Sequence, residues 1–286
     1  MNGVLVGSVG NGDGVKVSVL RGAAPGESIG SLADLKHPAA ASIINNAGKK
    51  FLINLLLAKQ ALIDYTESCA TRLCLRINHM IENIKWLGHG SFVIEGPPII
   101  YIDPWRVVKQ VFHPDVILIS HEHYDHFSVA DISKIRGPET RIISNETIAA
   151  QLDGVTVLRP WQSITVERAS IKAVPAYSLN SLQHPKEAGG LGFVISLNLY
   201  DIYYAGDTQI IPEMERIQPD IAILPIDDNG TLTVEQAAQV VRKMRPRWVI
   251  PSNWGTTTEG ASSMDAKTLQ ELVRDYAKVI IPEQTR

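Results

Sequence analysis

Between residues 84 and 251 the chain is a succession of short apolar runs separated by polar residues, glycines and prolines. Short runs rich in Val, Ile and aromatics suit strands, whereas longer segments with apolar residues three and four apart suit helices. The pattern predicts strands at 84–87, 91–95, 99–102, 116–120, 141–144, 155–158, 163–166, 171–174, 191–197, 202–205, 221–225 and 248–251. A helix is expected to begin at Ser128, whose hydroxyl can accept from the free backbone N–H groups of a first turn. Further helices are expected at 146–152, 211–217 and 234–245, the last ending before Pro246. Early strands are joined by tight turns and later ones alternate with helices. That order predicts two sheets, each covered by helices, within one domain.

The N-terminal part has a different character. Eight of the 21 glycines fall in the first 30 residues, and of the 18 aromatic residues only Phe51 and Tyr65 precede Trp86. So few large apolar groups cannot offset a backbone ordering cost of roughly 1 to 2 kcal/mol per residue, so residues 1 to about 45 are expected to be poorly ordered. Residues 49–76, with Phe51, Leu55, Leu56 and Leu62 set among Lys and Glu, are expected to form an amphipathic helix. The chain is therefore expected to divide into an extension, 1–79, and a functional domain, 80–286. Met80 reads as the natural start of that domain, and the extension as an appendage or a stretch added by a misplaced start codon.

Composition narrows the function. With 45% hydrophobic and 20% charged residues the chain is an ordinary globular protein. Its 27 basic and 30 acidic residues give a net charge of −3 and no nucleic-acid-binding patch, which leaves a small-molecule substrate as the expected partner. The longest strongly apolar stretch, 51–57, is too short to span a membrane. Two cysteines, Cys69 and Cys74, without a CxxC spacing, point to a reducing compartment, hence a cytoplasmic location. Neither a phosphate-binding loop ending in Gly-Lys-Ser/Thr nor a Gly-x-Ser-x-Gly nucleophile elbow occurs.

The sharpest chemical signal is Ser120-His121-Glu122-His123-Tyr124-Asp125-His126, directly after an apolar strand. In an extended backbone alternate residues point the same way, so His121, His123 and Asp125 can converge, with His126 following where the chain turns into the helix. Three imidazoles and a carboxylate so close together are costly to bury without a cation, and these donors suit zinc, iron or manganese. The segment is a candidate metal site.

H-x-H-x-D-H after a strand resembles the signature of the metallo-β-lactamase superfamily of metal-dependent hydrolases. Residues Ile84 to Phe92, Ile102-Asp103-Pro104-Trp105, His184-Pro185-Lys186-Glu187-Ala188-Gly189 and Tyr204-Ala205-Gly206-Asp207-Thr208 are similar, in order, to other motifs of one branch of it. That branch includes the ascorbate-6-phosphate lactonase and the phospholipase D acting on N-acyl phosphatidylethanolamine. The resemblance implies an α/β fold, a four-layer αβ/βα sandwich of the metallo-β-lactamase type. It also implies a hydrolase holding one or two ions, zinc first and manganese or iron as alternatives. His121, His123 and His184 would surround one ion, Asp125 and His126 a second, and Asp207 would bridge both. A metal-bound hydroxide would attack an ester, lactone or phosphodiester bearing a phosphate, with Asp125 or Asp207 orienting the water and His89 at the rim of the site.

One ligand departs from the family pattern. Where members carry a histidine in Pro-x-His-Tyr-Gly-Thr, this chain reads Pro251-Ser252-Asn253-Trp254-Gly255-Thr256, and no histidine follows His184. An amide oxygen is a poorer transition-metal ligand than imidazole, so the second site is expected to be weakened. A mononuclear enzyme, a dinuclear one with a weakly held second ion, and a non-catalytic metal- or ligand-binding protein all remain open. A diiron redox protein of the same superfamily is disfavoured, since His123 stands where those carry glutamate and no flavin domain is present. Around the site, Asp103 could accept from the distal nitrogen of a ligating histidine, Lys186 could attract an anionic substrate, and Asp228 with Asn229 resembles an Asp-Asn pair near the site in relatives.

Overall fold

Six strands, β1 (Ile84–Gly88), β2 (Ser91–Ile94), β3 (Ile100–Ile102), β4 (Val116–Leu118), β5 (Arg141–Ser144) and β6 (Val155–Val157), lie side by side in sequence order in the computed structural model. It describes residues 80–108, 113–255 and 260–285. The expected disorder at 1–45, the helix at 49–76 and both cysteines lie outside the described residues. Strands β1 to β3 pair antiparallel and β3 to β6 parallel. A second sheet repeats that plan with β7 (Ser163–Val166), β8 (Ala169–Pro175), β9 (Leu191–Leu197), β10 (Tyr200–Tyr204), β11 (Ile221–Pro225), β12 (Trp248–Ser252) and β13 (Lys278–Val279). Here β7 to β10 are antiparallel and β10 to β13 parallel.

Period-two alternation decides the layers. Phe92, Ile94, Ile100, Ile102, Val116, Leu118 and Ile143 enter a cluster shared with the second sheet. Their neighbours Val93, Tyr101, Ile117, Ile119 and Ile142 enter a separate cluster with Ile132, Ile135 and Ile148 of helices α1 (Val129–Ile135) and α2 (Glu146–Ala149). Both faces of these inner strands are buried, as is usual where parallel strands are sandwiched. On the far side, α3 (Val234–Met244) and α4 (Ser263–Val273) pack on the second sheet through Ala237, Val241, Leu269 and Val273. The result is helix, sheet, sheet, helix.

Local chemistry sets the helix ends. The Ser128 hydroxyl accepts from Asp131 N–H at the start of α1, as the sequence predicts. Thr233 and Gln236 form a reciprocal capping box on α3, and Ser262 and Asp265 one on α4. The helix expected at 146–152 is a short turn of helix, and that at 211–217 is a 3-10 segment, Pro212–Arg216. Helix α4 and β13 go beyond the sequence expectation, because α4 carries only Ala266, Leu269 and Val273 as its buried stripe. Among the described residues no helix is long and apolar enough to cross a membrane.

The C-terminal ends of parallel strands β3, β4, β10, β11 and β12 are each followed by a chemistry-bearing residue: Asp103, His121, Asp207, Asp227 and Asn253. Ligand sites in parallel sheets characteristically form at such ends. The two sheets are tied there by Trp86 of β1 stacked on Trp254 after β12, with ring centroids 4.3 Å apart.

Candidate metal centre

The histidine-rich segment leaves β4 and turns at once. His126 N–H and Phe127 N–H both donate to His123 O, at 2.9 and 2.7 Å, and Ser128 then caps α1. This corrects the extended geometry expected from the sequence: a turn, not strand alternation, brings the side chains together. It places His126 as close to His121 as His123 is, with ring centroids 4.3 and 4.6 Å away.

Two donor groups result. In the first, His123 Nδ1 lies 3.1 Å from His121 Nε2 and 3.2 Å from His184 Nε2. Bonds of about 2.0 to 2.1 Å to a tetrahedral ion put ligand nitrogens ~3.3 Å apart, so this spacing suits one ion. In the second, His89 Nε2 lies 2.9 Å and His126 Nε2 3.9 Å from Asp125 Oδ2. Asp207 faces both groups: Oδ1 is 3.5 Å from His126 Nε2, and Oδ2 is 3.3 Å from His184 Nε2 and 3.9 Å from His121 Nε2. His126 Nε2 is buried without a hydrogen-bond partner among the described residues. Such an orphan is costly unless a ligand meets it.

Electrostatics point the same way. Burial raises the Asp207 carboxyl, but His126, His184 and His121 outweigh it and hold the group well below the carboxylate range. Burial likewise opposes ionisation of Asp125, yet the bond from His89 and the proximity of His126 hold it at about 2. His121 is pushed well below its usual value by burial and then by the neighbouring His126. Burial would lower His126 too, but Asp207 and the bond to Asp103 raise it to about 10. Ionised carboxylates in a buried site require positive charge beside them, which a divalent ion supplies more fully than a protonated imidazole.

A cavity of about 350 Å³ opens over the centre, lined in part by His89, His123, Asp125, His184, Asp207 and Asp227. Asp103 is fully buried beneath it, its Oδ2 2.7 Å from His126 Nδ1. Lys186 reaches Glu213, with Nζ 3.2 Å from Oε1, and lies over the Tyr177 ring rather than on the cavity wall. Asp228 is exposed in a left-handed turn, while its neighbours Asp227 and Asn229 line the cavity. Burial and the Asp207 charge push Asp227 up to about 6. Asn253 Nδ2 donates to Asp207 Oδ1 at 2.9 Å. His89, Asp103 and Asn253 all have positive φ, at 52°, 45° and 59°. Side chains rarely adopt that region, and such conformations concentrate where function holds them.

Sequence reasoning missed Ser120, Tyr204 and Asp227. The first two hydrogen-bond Asp103 Oδ2, at 2.5 and 2.7 Å. Each stands at a strand end beside a motif residue, and that adjacency was the available signal.

This fold and donor set define a metal-dependent hydrolase of the metallo-β-lactamase kind. Residues 83–253 match the family model described as the beta-lactamase superfamily domain. The UPF0173 metal-dependent hydrolase of Pyrococcus abyssi is 34% identical over 215 residues, covering 69% of this chain and 95% of that protein. The corresponding protein of Thermoplasma volcanium is 31% identical over 219 residues, 71% of this chain and 97% of its own length. The chain belongs to this family of metal-dependent hydrolases within the beta-lactamase superfamily. Among solved structures, a protein of Parabacteroides distasonis described as a metal-dependent hydrolase matches at 30% identity with a TM-score of 0.64, covering 71% of this chain and 93% of that one. Igni18, a metallo hydrolase from Ignicoccus hospitalis, shares the fold at 23% identity and a TM-score of 0.59, over 71% of this chain and 95% of its own.

Proposed function

We propose that the chain hydrolyses an ester, lactone or phosphodiester with water activated at a centre held by His121, His123 and His184 together with Asp125, His126 and Asp207. The observation that carries this is the placement of Asp207, whose two oxygens face the two donor groups beside the open cavity. A bound divalent ion, zinc first and manganese or iron as alternatives, supplies the charge that lowers the pKa of water towards about 7 and polarises a carbonyl or phosphoryl oxygen. Asp125 and Asp207 stay ionised and so accept hydrogen bonds from the attacking water, fixing its direction of approach. His89 stands beside the Asp125 carboxylate, its Nε2 2.9 Å from Oδ2, on the wall of the cavity. Attack by water requires no covalent intermediate on the protein.

A phosphate-bearing substrate, as in the lactonase and phospholipase branch, belongs to this reading. The described residues on the cavity wall include no lysine or arginine, and Lys186 is engaged with Glu213. The ions, not Lys186, would therefore neutralise the phosphate. The cysteine usage suits a cytoplasmic setting. Metal analysis of protein purified without added metal, paired with a generic phosphodiester and a panel of lactones, tests the proposal. Hydrolysis abolished by a chelator and restored by zinc is the expected result. Retained metal with no turnover of any ester, lactone or amide would instead support a non-catalytic metal-binding member, the reading that Asn253 favours.

A further inference from the structure

We propose that His89, from the turn between β1 and β2, serves as the histidine ligand of the second ion, the position that residue 253 no longer fills. This rests on the metallohydrolase reading and assigns its second cation site to His89, Asp125 and His126, with Asp207 shared between the two ions. One ligand atom from each of His89, Asp125 and His126 lies within 4.8 Å of the others.

Asn253 is turned away from that role. Its Nδ2 donates to Asp207 Oδ1 at 2.9 Å, and reversing the amide would set oxygen against a carboxylate. An amide nitrogen is no metal ligand. The Asn253 Oδ1 points towards Gly90, where a Cβ would come within 3.2 Å of it. His89, by contrast, is held by a turn built for it. Its backbone is left-handed, and its carbonyl accepts from both Trp86 Nε1, at 2.9 Å, and Asn253 N–H, at 3.1 Å. The imidazole packs edge-on against Trp105, with centroids 5.6 Å apart, and is 3% exposed. Its Nε2 points at Asp125 Oδ2, and its Nδ1 is buried without a hydrogen-bond partner among the described residues. Donation of the Nε2 lone pair leaves the ring proton on that free Nδ1. His126 Nε2, also unpartnered among the described residues, faces Asp125 and Asp207. The asparagine substitution has thus left an imidazole on the second site, delivered from the opposite sheet.

The test is zinc stoichiometry of the full-length protein by elemental analysis and calorimetric titration with zinc alone. Wild type is expected to bind two equivalents. His89→Asn, which tolerates the left-handed backbone, and His89→Ala are expected to weaken one equivalent by about 100-fold or more, beyond the 10- to 100-fold that loss of an outer hydrogen-bond partner costs. The equivalent at His121, His123 and His184 should be unchanged, which also shows that the variant is folded. Asn253→Gly, matched to its positive φ, is expected to keep both equivalents, with no more than the roughly 10- to 100-fold weakening that loss of the hydrogen bond to Asp207 costs. Two tight equivalents in both His89 variants, or a single equivalent in wild type that neither variant alters, overturns the assignment while leaving the hydrolase reading intact. No zinc bound by wild type overturns both.

Discussion

Asp103 Oδ2 accepts a hydrogen bond from His126 Nδ1 at 2.7 Å, with both side chains fully buried. Ser120 Oγ and Tyr204 OH donate to the same oxygen, and Ser120 N–H donates to Oδ1 at 2.7 Å. One carboxylate therefore joins β3, β4 and β10 and fixes the imidazole so that its Nε2 faces Asp125 and Asp207. Asp103→Asn keeps the shape but presents a donor to one of these donors. Zinc affinity is expected to fall by about 10- to 100-fold. Calorimetric titration checks this, and unchanged affinity would show that Asp103 acts only on stability.

Removal of the ions should be felt in stability as well as in turnover. A ligand at about 100 times its Kd adds roughly 2.7 kcal/mol to the folded state, or about 5 to 10 °C in Tm for a domain of this size. Wild type treated with chelator should melt lower by that margin and recover with zinc. His123→Ala, which removes the imidazole shared by the 3.1 and 3.2 Å contacts, should lose most of the zinc-induced shift and at least about 100-fold in kcat/KM. A full shift in that variant would place the first ion elsewhere.

Stability at acid pH should depend on Asp131, which anchors the loop that follows β3. Its carboxylate accepts from Arg106 N–H at 2.8 Å and Lys134 Nζ at 2.7 Å, and Arg106 follows the Trp105 that packs on His89. Burial raises the group, but the bonds from Lys134, Ser128 and Arg106 outweigh it and bring its pKa below the usual 3.8. A lowered folded-state pKa means stability that is present above the unfolded value and lost as pH falls through the folded one. Asp131→Asn is therefore expected to cost about 1 to 2 kcal/mol at pH 7, with little from the half-exposed lysine. The difference from wild type should shrink below pH 3.8, as denaturant titrations at pH 7 and pH 3 would show.

The layers of the fold were legible because alternation in β2 to β5 is strict, each apolar residue having one cluster to enter. His121, His123, Asp125 and His126 were legible because they fall within six residues of sequence. How they converge was not, since the turn depends on two hydrogen bonds to His123 O that no periodicity announces. Nor could the sequence pair His89 with Asp125, because their approach depends on the β1–β2 turn and on the order of strands between them. Choosing between Asp227 and Asp228 required the left-handed turn at Asp228, which sends one carboxylate to solvent and leaves the other on the cavity wall.

Gly90 should prove as restrictive as any ligand. A Cβ there would lie 2.7 Å from His126 Cε1 and 3.2 Å from both Asn253 Oδ1 and Tyr204 OH. The imidazole cannot swing aside, because Asp103 holds its Nδ1 and its ring is fully buried. Backbone movement is opposed as well, since Gly90 O already lies 3.0 Å from the Tyr204 hydroxyl that Asp103 holds. Gly90→Ala is expected to cost about 1 to 3 kcal/mol, as overpacking of a tight core does. It should also weaken the zinc equivalent that uses His126 by at least about tenfold, leaving the equivalent at His123 and His184 in place. Denaturant titration and zinc calorimetry on the same variant separate the two effects. Lost stability with both zinc affinities intact would mean that the crowding is relieved away from His126, and that this imidazole is not held as its contacts with Asp103 require.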